Sequence, residues 1–487
     1  MRVAGGGGMR DVVWPGGAPC VDLTTTSDFT LALLDDTLAW RHRMRKELEF
    51  GSGDHVRVTT RYHVHFLRPL LSSFVRSPRA EWARVLLPLT TRDKAMLLRL
   101  RVLGPEGAPA HRLARKSSAA IQAEYLRRLA LTSPAGDAML GPQVPARGSP
   151  EAEFTTVMRS RLFEAICVFM PDMVKKLTNR EADGPANLAS YLTSGLGFDI
   201  GVGHVRRWWT PATQAGQILA EALDEPPDPF SSSEMVLLAL PRMDPLPRTV
   251  QEIDELVDAY LAGLQAARDA GDRSFLIALA DYGRRYEIIV DTRVPLNEPA
   301  TLALVEDREL HLSPAGWTVQ EVAFGDARSS HVEARTTDHT VQITQFDVRD
   351  VHDQPLAPAW IEGLHWTSEA LQLYSSEPGR PYYIRLRLRF TAARSLQVTG
   401  LMLASITALA AVIALLTGEE HLVSVLALLT VPTTLAAALA LVREQTALAA
   451  RALARVRLVI EVSIGLLWVV VLVRTAVSTA DPLWFTR

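Results

Sequence analysis

The chain has 487 residues, 48% of them hydrophobic and 22% charged, with a formal net charge of −3. That length leaves room for two or three domains, and so slight a charge supplies no field for nucleic acid. The two cysteines, Cys20 and Cys167, belong to no CxxC pair, so neither a disulfide framework nor a cysteine zinc site is supported, in keeping with a reducing, cytoplasmic soluble part.

The first ten residues, Met-Arg-Val-Ala followed by four glycines and Met-Arg, carry no apolar core of a secretory signal. Met1 and Met9 are both candidate starts, and residues 1–26 are expected to be flexible. From Ser27 to Leu48, Leu31, Leu34, Leu38, Met44 and Leu48 recur at helical spacing. The basic end of that run (Arg41, Arg43, Arg45, Lys46) suits a helix C-terminus. Past Gly51 and Gly53 the pattern alternates: His55–Phe66, Ala83–Thr91 and Lys94–Leu103 read as strands. Ser117–Leu131 reads as a helix. Residues 27–135 are therefore expected to form a small α+β domain.

Thr132–Pro150, rich in Pro, Gly and Ala, is the first expected linker. Residues 150–270 are expected to be mainly helical, with helices over Glu153–Leu177, Pro211–Leu223 and Val250–Ala267, and a second linker at Asp224–Ser233. From Phe275 the period changes to two. Short runs at Tyr286–Val290, Thr301–Val305, Trp317–Phe324, His331–Arg335, Thr340–Val348 and Tyr382–Phe390 predict a β-sandwich over 275–392, with Trp317, Trp360 and Trp366 in its core.

The last ninety residues organise the chain. Leu396–Thr417 and Leu422–Val442 contain no charge, and Leu458–Val477 carries only Glu461 and Arg474. Each run is about 20 residues, the length a helix needs to cross a hydrocarbon core of roughly 30 Å. Three transmembrane helices are expected, at 396–417, 422–442 and 458–477, with a short external tail at 478–487. Arginines crowd before the first span (Arg380, Arg385, Arg387, Arg389, Arg394) and between the second and third (Arg443, Arg451, Arg455, Arg457), while the link Gly418–His421 has none. Cations concentrate on the cytoplasmic side, so the expected topology is a multi-pass protein of the cell membrane with its N-terminal region inside and its C-terminus outside. Ala404 and Ala408 of the first span, and Ala436, Ala437, Ala438 and Ala440 of the second, suit close helix packing, within the chain or between copies.

Candidate functional residues are few. His63 and His65 share one face of a strand and are the weak metal candidates, short of a third ligand. Arg206, Arg207, Trp208 and Trp209 have the composition of an interface anchor, the alternative being packing between helices. Arg385, Arg387 and Arg389 share one face of the last strand; with Arg394 they are expected at the membrane surface, the alternative being a solvated strand face. Gly195–Gly203 lacks dinucleotide spacing and is expected to be a loop. No catalytic motif is visible and no cofactor is expected.

The expected architecture is a multidomain α+β soluble region, comprising a small α+β domain, a helical middle and a β-sandwich-like domain, followed by three C-terminal transmembrane helices. The leading functional expectation is a membrane-anchored binding or sensing protein for an unidentified protein or small molecule. The alternatives are a membrane effector whose soluble domains control assembly of its helices, and an enzyme tethered to the inner leaflet.

Overall fold

The computed structural model describes residues 20–480, except 25–26, 52–54, 67–73, 76–79, 94–98, 109, 141–149, 169–183, 224–234, 325–326, 351–352, 357–360, 377–381 and 417–446 apart from Thr434. The chain divides into two compact units.

The first unit comprises Met1–His42, Tyr62–Leu97 and Val102–Ala303. It holds a four-stranded sheet of order β1 (Cys20–Asp22), β4 (Trp82–Asp93), β7 (Arg285–Pro295) and β6 (His111–Arg112). Strand β4 runs parallel to β1 and antiparallel to β7. A helical core fills the rest: α3 (Arg115–Thr132), α4 (Ala135–Leu140), α5 (Pro150–Val168), α6 (Gly184–Leu196), α7 (Val202–Leu223), α8 (Met235–Ala239), α9 (Val250–Asp269) and α10 (Arg273–Arg284). Helix α9 starts at a capping box: the Glu252 N–H donates to Thr249 Oγ1 and the Thr249 N–H to Glu252.

Several expectations change here. The helix expected over Ser27–Leu48 is α1 (Ser27–Asp35) and α2 (Thr37–Trp40), followed by strand β2 (Arg41–Phe50). Met44 and Leu48, four apart, fit a two-residue period as well as a helical one, whereas Phe50 fits only the first, and Lys46 lies buried between Met44 and Leu48. Asp36 caps α2 by accepting from the Ala39 N–H at 2.9 Å. Helix α10 occupies residues read as the start of alternation. Phe275, Leu276, Leu279 and Ala280 form one buried helical face, and Asp272 accepts from the Phe275 N–H. Pro211 lies inside α7, not at its start. The first expected linker contains α4, and Gly195 lies in α6, with Pro241 where a Cβ would project.

The second unit comprises Arg43–Arg61, Leu98–Arg101 and Leu304–Arg487. Its seven-stranded sheet has the order β12 (Gly363–Trp366), β13 (Ala370–Ser375), β10 (Ser329–Thr336), β2, β3 (His55–Val64), β8 (Ala300–Glu309) and β5 (Arg99–Leu103). A three-stranded sheet, β11 (Val341–Asp350), β14 (Tyr382–Ala392) and β9 (Trp317–Phe324), shares a core with it. Leu48, Val56, Val58, Val332, Ala334 and Leu371 face Val322, Ile343, Ile384, Leu386 and Leu388. This is a β-sandwich, and two of its strands come from the N-terminal stretch. Strand β2 lies parallel to β10, Arg43 opposite Ser329 through Phe50 opposite Thr336. Of the tryptophans expected in the core, Trp317 is half-buried and Trp366 is exposed on edge strand β12; Trp360 lies outside the described residues.

The outer face of β2 and β10 is a lattice of ion pairs. Arg45 bridges Glu47 and Glu333, each at 3.0 Å, and Arg61 also reaches Glu47. Arg335 pairs with Glu49. Half-exposed pairs of this kind contribute about 0–1 kcal/mol each, but Glu47 and Glu333 are themselves buried, so removing their arginines would strand a desolvated charge. His331 lies beside them. Burial, then Arg45 and Arg43, push its pKa below the ordinary value, against the pull of Glu333 and Glu47.

Among the described residues, two helices are long and apolar enough to cross a membrane: α11 (Arg394–Leu416) and α12 (Ala447–Ala480). The third expected span, 422–442, lies outside the described residues.

The position of His331 predicts a pH dependence. The folded state binds its proton less readily than the unfolded chain, so stability from this group is full above pH ~6.5 and is lost as pH falls toward the lower folded value. Denaturant melts at pH 7.5 and 5.5 should show a smaller acid loss for His331→Gln than for the wild type. Equal losses would remove His331 from the account.

Candidate functional site: the junction of the sandwich with the apolar helices

Strand β14 passes into α11 with almost no connection. Ala392 ends the strand and Arg394 begins the helix. Between them, the Ala393 N–H donates to Thr340 O at 2.8 Å and Gln397 Nε2 donates to Ala392 O at 2.7 Å. The turn before β9 supports the same point. Gly316 has φ +82°, where L side chains are disfavoured, and a Cβ there would lie 2.6 Å from Phe390 O. Its own carbonyl accepts from the Phe390 N–H at 2.9 Å. Phe390 in turn packs on Phe50, ring centroids 4.9 Å apart.

The second attachment is not covalent. Leu448 and Ala449, in the first turn of α12, are buried in the sandwich core, and Ala452 and Leu453 pack beside them. Positions 448, 449, 452 and 453 fall on one helix face. Arg451, on the next face, donates to Leu312 O. Burying a leucine of this size stabilises by about 1.5–3 kcal/mol. Helix α12 has 34 residues, about 50 Å at 1.5 Å per residue. That exceeds the roughly 30 Å of a hydrocarbon core and leaves its first turns for the sandwich.

The two helices pack along one line. Gly400 meets Val456, whose Cγ1 lies 2.5 Å from where a Cβ would project; Leu403 meets Ile460, and Ala410 and Ala411 meet Leu467. Both residue numbers rise together, so the helices run parallel, and both begin at the sandwich. Thr407 is buried, its Oγ1 donating to Leu403 O at 2.7 Å; Ser405 and Ser463 likewise donate to carbonyls four residues back. Hydroxyls satisfied within their own helix suit an apolar solvent. The outward faces are apolar and exposed, including Leu401, Ile406, Leu409, Val462, Leu466 and Trp468.

The residues singled out from sequence lie elsewhere or serve packing. Arg385 pairs with Glu321 at 3.1 Å, Arg387 lies 3.9 Å from Asp353, and Arg389 donates to Gln345 and lies over Trp317. They line the outer face of the three-stranded sheet; Arg394 is exposed at the start of α11. Trp208 is buried, its Nε1 donating to Asp254 Oδ1 at 2.5 Å, and Arg207 pairs with the same carboxylate at 3.0 Å. Trp209 packs against the helical core, and Arg206 is exposed. His63 lies 3.0 Å from Thr301 Oγ1, and the His65 ring lies against His42. Among the described residues no group of three or more His, Cys, Asp or Glu is placed to hold a metal ion.

The junction residues were missed because 443–457 read as a loop. The signal was present: Ala447–Ala454 has the composition of a good helix former and runs into the apolar stretch unbroken. No protein-family model, curated protein or solved structure matches this chain.

Leu448→Ala should lower sandwich stability by roughly 2–3 kcal/mol in detergent-solubilised full-length protein, within the range for buried leucines. Leu466→Ala, on the exposed face of the same helix, should change it by no more than about 0.5 kcal/mol. Equal effects in denaturant melts would show that the first turn of α12 is not part of the core.

Proposed function

We propose that this chain is a multi-pass protein of the cell membrane whose cytoplasmic part binds or senses a partner and transmits the resulting displacement to its membrane helices. The observation that carries this reading is the burial of Leu448 and Ala449 in the sandwich core. With the direct passage of β14 into α11, it gives the sandwich two holds on one helix pair. A rigid-body shift of the sandwich then displaces both helices, whereas a Gly/Ser tether would absorb it. A partner biases the helices only as far as it prefers one arrangement to the other.

The parallel run of α11 and α12 supports the three-span topology. Both helices begin at the sandwich, so a chain that leaves through α11 must return before α12, and the apolar run 422–442 is long enough to carry it. The arginines around both starts favour a cytoplasmic location for this end. Reporter fusions ending at Arg394, Glu420, Ala449 and Arg487 should read in, out, in, out. An inside reading at Arg487 contradicts the topology.

The transmission itself is testable with a surrogate partner. A single-domain antibody raised against the sandwich should alter, several-fold, the rate of disulfide formation between Leu403→Cys and Ile460→Cys in reconstituted vesicles. The effect should vanish when Leu448→Asp is combined with a flexible insert of about 15 residues between Thr391 and Arg394. An unchanged rate with a panel of antibodies to different faces would reduce the helices to an anchor. Release of entrapped dye by the purified chain alone would point instead to a membrane effector.

A further inference from the structure

The parallel helix register brings together cations that the sequence separates by some sixty residues. Gly400 opposite Val456 and Leu403 opposite Ile460 set an offset of 56–57 between the helices. Arg451 therefore stands level with the first residues of α11, beside Arg394. Arg455 follows one turn later and Arg457 half a turn beyond. Arg394, Arg451 and Arg455 are exposed. Neither Arg394 nor Arg455 has an ion-pair partner among the described residues, and the recorded bond of Arg451 is to a backbone carbonyl, Leu312 O. Glu309 lies by His311, and Glu461, one turn past Arg457, is on that arginine's own helix face.

This band lies between the sandwich, which ends with Leu448 and Ala449 in its core, and the apolar stretch that begins at Leu458. The interfacial layer of one leaflet is about 5–8 Å deep, and arginine side chains extend toward it from either side. We infer that Arg394, Arg451 and Arg455 form a docking band for the headgroups of anionic phospholipids. The chemistry is phosphate recognition by guanidinium donors, reinforced by the negative surface potential of the cytoplasmic leaflet. The inference rests on the membrane reading above and adds lipid selectivity to it. Because the band spans the starts of both coupled helices, headgroup binding would brace them at the level where the sandwich holds them.

The test uses full-length protein reconstituted with phosphatidylcholine alone or with one-fifth phosphatidylglycerol, about 20 mol% against a leaflet of known potential. Flotation with vesicles checks insertion, and spin-labelled lipids report the preference for phosphatidylglycerol at the protein boundary. The wild type should prefer the anionic lipid, and each of Arg394→Gln and Arg455→Gln should reduce the preference by about two- to five-fold, following the attraction per surface cation. Salt should weaken it. Arg385→Gln, on the sandwich, should leave it unchanged. Insertion with no anionic preference, or a variant combining Arg394→Gln and Arg455→Gln with undiminished preference, overturns the lipid band alone. Failure of the wild type to float with either composition overturns the membrane reading and the band with it.

Discussion

Everything distinctive about the second unit depends on where Leu448 and Ala449 sit. They belong by sequence to an apolar helix and by packing to a β-sandwich core. A sandwich needs its open ends closed against water, and the apolar first turn of a 34-residue helix needs burial. Each meets the other's requirement. The cost of separation is the exposure of a leucine and its neighbours, a few kcal/mol in a structure whose total stability is of order 5–15 kcal/mol. The contact is therefore a substantial share of the unit's stability and yet weak enough to be broken.

The central position of β2 follows the same logic of shared burial. Its inward side chains, Leu48 and Phe50, contact residues of the three-stranded sheet, and Phe50 touches Phe390 at the last turn before α11. A strand from the first fifty residues thus lies under the strand end that leads into α11. Its partner β10 is almost three hundred residues away, and the pairing is parallel. The sheet cannot close until both have been made. Loop closure of that length is slow relative to local helix formation, so the sandwich is expected to be among the last parts of the chain to fold.

How much of this was legible in the sequence depended on how local the signal was. The apolar stretches within α11 and α12, and the strands from β7 to β11 and β14, were readable because each carries its own period. The helix expected over 27–48 failed at Arg41: Met44 and Leu48 fit either period, and the partner strand β10 decided between them. Strand β12 has only four residues in which to show alternation, whereas the alternation of Leu371 and Leu373 in β13 was present and missed. The arginines expected at the membrane surface illustrate the converse. Arg385, Arg387 and Arg389 were correctly placed on one strand face, but the acids and aromatic that face them, Glu321, Asp353 and Trp317, come from other segments. The junction itself had only a composition signal, since nothing in Ala447–Leu453 says that a distant sandwich has an opening of matching shape.

The most direct test of the central claim is native-state hydrogen exchange of the full-length protein in a bilayer mimic, followed at the amides of residues 451–455. These N–H groups lie past the unpaired first turn of α12 and close helical hydrogen bonds. If the start of α12 is held in the sandwich core, they should exchange as slowly as the amides of Leu386–Phe390 in β14 and open together with them. Exchange at the rate of a fraying helix end, orders of magnitude faster than β14, would contradict the account.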